Sequence, residues 1–118
     1  MTLRLFCTGL TVCAALLLAS PAAMSQPTVI NLTILAGGLP PAQRVVRIYQ
    51  DDEVALRWTA DAPVTIHLHG YDMERKVRPG APATMQFRAR ATGRFPITVH
   101  GDKQAGERTL GHLEVHPR

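Results

Sequence analysis

Residues 64–70 read Val64-Thr65-Ile66-His67-Leu68-His69-Gly70, and their alternation decides the fold. Val64, Ile66 and Leu68 are apolar; Thr65, His67 and His69 between them are not. That period of two belongs to a β-strand with one buried face. In such a strand the three apolar side chains enter the interior. The two imidazoles project from the opposite side, about 7 Å apart along the chain. Gly70 then breaks the run.

The same signal recurs on both sides of this stretch, and no helical period competes with it over residues 26–118. Upstream, Thr28 to Leu35, Val45 to Tyr49 and Val54 to Thr59 read as strands. Gly37-Gly38-Leu39-Pro40-Pro41, Asp51-Asp52-Glu53 and Asp61-Ala62-Pro63 interrupt them. Downstream, Met73 to Val77 reads as a short edge strand, followed by Thr84 to Ala89, Arg94 to His100 and Leu110 to Val115. Arg78-Pro79-Gly80 is a turn, with proline presetting φ and glycine free to take positive φ. In Arg94 to His100, alternation sends Phe95, Ile97 and Val99 inward and Thr98 and His100 outward. Seven or eight short strands, with turn signals about every 8–12 residues, predict an all-β Greek-key sandwich.

The first 25 of the 118 residues are expected to lie outside that domain. Arg4 precedes an apolar run from Leu5 to Ala19, and small residues follow at Ala22, Ala23 and Ser25. This is the pattern of a secretory signal peptide cleaved before Gln26, which predicts a periplasmic protein with no membrane span after cleavage. Both cysteines, Cys7 and Cys13, fall in the leader. The domain of residues 26–118 therefore has no disulfide and no thiolate for a metal. The formal charge is +4. The arginines are scattered and aromatics are few, so neither a basic patch nor a stacking surface for nucleic acid is present.

At this point the sequence resembles a known family. Thr65-Ile66-His67-Leu68-His69-Gly70 is similar to the His-x-His-Gly motif of multicopper-oxidase domains, which share the cupredoxin fold. Pro79-Gly80, Met85-Gln86-Phe87 and Gly93-Arg94-Phe95 resemble that family's proline–glycine turn, the strand after it, and the Gly-x-aromatic entry to the penultimate strand. The resemblance runs roughly from Val45 to Val115. It implies a cupredoxin-like sandwich. It also implies that Val64 and Val99 stand where a blue-copper centre has a histidine and its cysteine, with Thr98 in place of a flanking histidine. Further ligands would fall near Gln104 and Thr109, neither of which suits the role. His67, His69 and His100 match histidines that bind the coppers shared between oxidase domains.

His67, His69 and His100 are thus the candidate metal ligands, and copper the candidate ion, since imidazole suits Cu(II). If Val64 opposed Val99 across antiparallel strands, His100 would lie ~13 Å from His67, which makes His67–His69 the primary pair. Asp72 and Glu74 follow Gly70 and could supplement it. Met73 and Met85 are expected to fill core edges, Trp58 to anchor the core, and His112 and His116 to lie on one surface face of the last strand. No Ser-His-Asp spacing stands out, and an enzyme is not expected. Two functions remain open: an exported protein that binds or handles copper without blue-copper electron transfer, and a metal-free module whose outer face meets a periplasmic partner or a second copy.

Overall fold

Each alternating run becomes a strand. The structure is a computed structural model that describes residues 19–22, 25–101 and 106–118. Residues 1–18 and 23–24 of the expected leader lie outside the described residues. The strands are β1 (Thr28–Ile34), β2 (Val45–Tyr49), β3 (Glu53–Ala60), β4 (Val64–Leu68), β5 (Met73–Val77), β6 (Ala83–Arg88), β7 (Gly93–Gly101) and β8 (Arg108–His116). A single 3-10 turn, Pro41–Gln43, leads into β2. No helix among the described residues is long and apolar enough to cross a membrane.

The strands form two sheets, one ordered β1-β3-β6 and the other β2-β8-β7-β4-β5. β1 runs parallel to β3 and β2 parallel to β8, while the remaining pairs are antiparallel. Only β4–β5 and β7–β8 join sheet neighbours directly; the other connections cross between sheets, which gives the Greek-key sandwich. β5 occupies an edge of the larger sheet, as its short polar sequence predicts.

The interior is built by the alternating residues. Leu32 and Ile34 of β1, Val54, Leu56 and Trp58 of β3, and Met85 of β6 meet Ile66, Leu68, Ile97, Val99 and Leu113 of the larger sheet. Trp58 is fully buried, and its indole N–H has no partner among the described residues. Its apolar ring supplies the area that compensates for that orphan donor. Met85 is also fully buried, and Met73 packs against the same cluster. Val64, Ile66, Leu68 and Val99 are 8%, 0%, 0% and 1% exposed, so the inward face of β4 and β7 is as the alternation predicts.

The register between those two strands differs from the expectation. Val64 pairs with Gly101, Thr65 with His100, Ile66 with Val99 and His67 with Thr98. Val64 does not oppose Val99, so the ~13 Å separation is corrected: His100 is a diagonal neighbour of His67, about 7–8 Å away between Cα atoms. β7 continues through Gly101, one residue past His100. Sliding a strand by two residues preserves which side chains face inward. That is why the facing was predicted correctly and the distance was not.

β8 carries a second departure. Ile97 pairs with Gly111 but Thr98 pairs with Thr109, a bulge that absorbs Leu110. The extra residue sinks Leu110 into the core at 7% exposure and shifts the register of everything before it. Beyond the bulge, a Cβ on Gly111 would meet the Arg44 carbonyl oxygen at 2.2 Å. The His112 N–H donates to that same oxygen at 2.8 Å, seating β2 against β8. Gly111→Ala must push the two strands apart and is expected to cost about 1–3 kcal/mol. Urea denaturation reads this as a lower midpoint; an unchanged midpoint would contradict the close seating of β2.

Candidate metal centre

The outward face of β4 carries Thr65, His67 and, just beyond the strand, His69. Three features hold the turn after it. The His69 N–H donates to the Pro96 carbonyl at 3.1 Å. Tyr71 donates its hydroxyl proton to the Ala91 carbonyl at 2.7 Å and accepts from the Ala91 N–H at 3.2 Å. The Tyr71 ring stacks at a tilt on Phe87 and edge-on to Phe95. Burial raises the Tyr71 hydroxyl pKa above its usual value, against the lowering effect of the Ala91 hydrogen bond. Gly70 takes φ of +84°, and a Cβ there would lie 2.2 Å from a Phe95 ring carbon. The glycine of the motif is therefore required twice, by its backbone angle and by the ring against it.

His67 and His69 sit with ring centroids 4.2 Å apart and planes inclined at 40°. The third member is Glu107, the residue immediately before β8. Its carboxylate lies 3.4 Å from His67 Nδ1 and 3.7 Å from His69 Nε2. One donor atom from each of the three residues lies within 4.8 Å of the other two, and this is the cluster found among the described residues. The Thr98 hydroxyl, on the buried floor between the rings, is 3.0 Å from His69 Nε2. Hydrogen bonding to His67 holds the Glu107 pKa below the usual carboxylate value. Desolvation opposes that shift, while the Thr98 hydroxyl and the nearby imidazole charges assist it.

Two imidazole nitrogens and a carboxylate oxygen form a competent ligand set for a divalent transition metal. Metal–ligand bonds near 2 Å put cis ligand atoms about 3 Å apart, so three donors within 4.8 Å of one another must draw together to hold an ion. The donors are partly exposed and open on the solvent side. The Asp72 carboxylate approaches the other nitrogen of His67, Nε2, at 3.9 Å. Glu74 pairs with His67 across β4–β5 and is exposed.

The remaining histidines are placed differently. His100 lies opposite Thr65 and is not among the three converging donors. His112 Nδ1 is 3.3 Å from an Arg94 nitrogen, and His116 is 3.4 Å from Glu114, which also pairs with Arg47 at 3.3 Å. Two guanidinium groups make that end of the face unfavourable for a cation. Gln104 lies outside the described residues, and Thr109 pairs with Thr98. Glu107, between them, is the donor the sequence reading missed. A concavity of about 550 Å³ lies elsewhere, between residues 25–28 and the Asp51–Glu53 turn. Its Asp51 and Asp52 are already paired with Arg88 and Arg118.

No protein-family model and no curated protein sequence matches the chain. Solved structures do match its fold. A chain of a heme-copper terminal oxidase dimer superposes with a TM-score of 0.61 at 14% identity, over 87% of this chain and 83% of that one. A multicopper oxidase gives 0.59 at 20% identity, over 76% of this chain and 39% of that one, so this chain spans about two-fifths of its length. A copper binding protein, solved in its apo form, gives 0.55 at 11% identity over 79% and 93%. The chain is a cupredoxin-like β-sandwich. At 20% identity or less, these likenesses carry the fold alone.

Gly70→Ala tests how the centre is positioned. The variant must take a left-handed backbone and displace the Phe95 ring, so a stability loss of about 1–3 kcal/mol is expected. Thermal unfolding measures it, and a variant as stable as the parent would show that Phe95 does not rest on the turn.

Proposed function

We propose that this chain is an exported copper-binding module that takes Cu(II) at His67, His69 and Glu107 on the outer face of its larger sheet. It works in the periplasm, with neither blue-copper electron transfer nor catalysis of its own. The observation that carries the reading is the convergence of one donor atom from each of these residues within 4.8 Å. His67 offers Nδ1, His69 offers Nε2, and Glu107 neutralises part of the incoming charge. Cu(II) stands highest in the affinity order of divalent first-row ions for such ligands. As cargo it can exchange through the open side of the site without disturbing the core.

Other observations support the remaining parts of the reading. The basic start and apolar run of residues 1–25 support export. Both cysteines fall in that leader, and Val64 and Val99 are buried apolar residues, which argues against a copper–thiolate centre. The metal-free alternative has less behind it. The exposed large apolar side chains among the described residues are Val29, Leu35 and Tyr49. Val29 and Leu35 are about 20 Å apart along the β1 segment, and Tyr49 belongs to the other sheet, so they form no common docking patch.

Titration of the purified protein with Cu(II) tests the proposal. The parent is expected to bind one ion per chain without the intense colour of a copper–thiolate bond. His67→Ala/His69→Ala is expected to bind roughly 100-fold more weakly or worse. Protons compete with the metal for imidazole nitrogen, so affinity falls on acidification. Equal affinity in parent and double variant would dispose of the site.

A further inference from the structure

We infer that Glu107 makes this centre selective for the oxidation state of copper, holding Cu(II), and Zn(II) with it, in preference to Cu(I). The inference rests on the metal-binding reading above and deepens it.

Soft sulfur donors favour Cu(I), whereas carboxylate oxygen favours harder, more highly charged cations. Among the described residues, sulfur is kept away from this site by the fold. Met85 is fully buried, and Met73 pairs with Leu68 and packs on the core, on the opposite side of β4 from the imidazoles. Cys7 and Cys13 belong to the leader region and lie outside the described residues. The third donor is instead an ionised oxygen ligand set between two neutral-capable nitrogens. Its charge doubles in value when the guest carries two positive charges rather than one, because Coulomb attraction scales with the product of charges. The Arg108 guanidinium, next in sequence, turns away from it and donates to the Gly37 carbonyl at 2.8 Å.

The placement of Glu107 is itself specific to this fold. Val99 pairs with Arg108, so the hairpin sets Glu107 beside His100, on the imidazole face. Without the bulge at Leu110 the alternation of β8 would be out of step by one residue, and Glu107 would point to the other side. The bulge therefore delivers the hard donor.

Parallel competition titrations with Cu(II), Zn(II) and, under anaerobic conditions, Cu(I) test this on the parent, Glu107→Gln and Glu107→Met, with circular dichroism confirming that each variant is folded. Glu107→Gln keeps the shape and removes the charge. It is expected to weaken Cu(II) and Zn(II) roughly tenfold while changing Cu(I) by less than about threefold. Glu107→Met is expected to weaken Zn(II) and tighten Cu(I). Loss of all three ions in equal measure in Glu107→Gln, or no loss of any, would overturn the inference while leaving the site intact. A parent protein that binds no Cu(II) would overturn the underlying reading, and this one with it.

Discussion

His67 and His69 can cooperate only because Val64, Ile66 and Leu68 are committed to the interior. Turning β4 over would bring the imidazoles inside and expose three side chains that are nearly or wholly buried. Each such side chain contributes about 1.5–3 kcal/mol by leaving water. Reversal would thus cost on the order of 6 kcal/mol, comparable to the whole stability of a small domain. The orientation of the two rings is therefore fixed by residues that never touch a metal. Ile97 and Val99 do the same for β7, and with them Thr98 becomes the buried floor between the rings. His67 and Thr98 stand on paired strands within a five-stranded sheet, the kind of support that keeps side chains in place.

How far the sequence reveals this depends on the range of each signal. Alternation is local, and it gave the eight strands, their inward faces and the His67–His69 pair. Register is not local. Nothing within β4 or β7 states which residues oppose each other, and aligning Val64 with Val99 displaced the pairing by two residues. The side facing survived because two is the period of the strand. Glu107 was lost for a different reason. Its position depends on the bulge at Leu110, and a bulge is one extra residue whose cause lies in packing across the sheet. Read without it, Glu107 is a loop residue ahead of a strand beginning at Leu110; the strand in fact begins at Arg108. The pairing of Val99 with Arg108 is the signal that could have exposed it, once the start of β8 is known.

The same face of the sheet shows that histidine alone does not make a metal site. His112 and His116 lie on it as openly as His67 and His69, and Glu114 stands near them as Glu107 stands near the other pair. The difference is the company of arginines. Arg94 occupies a nitrogen of His112, and Arg47 shares the Glu114 carboxylate with His116. A carboxylate already satisfied by a guanidinium has little left to offer a cation, and the nearby fixed positive charge repels one. At the other end, the partners of Glu107 among the described residues are imidazoles and a hydroxyl, with no guanidinium against its carboxylate.

This contrast bears on what such a sandwich is suited to do. A centre between the sheets would be shielded from water, with its ligands drawn from the inward faces of the strands. Val64 and Val99 sit on those faces, and both are packed as core. Donors on the outward face instead keep one side of the ion open, so coordination positions remain for water or for a ligand brought by another molecule. Strands that bury apolar residues on one side and carry imidazoles on the other therefore combine a rigid frame with side chains that solvent can reach.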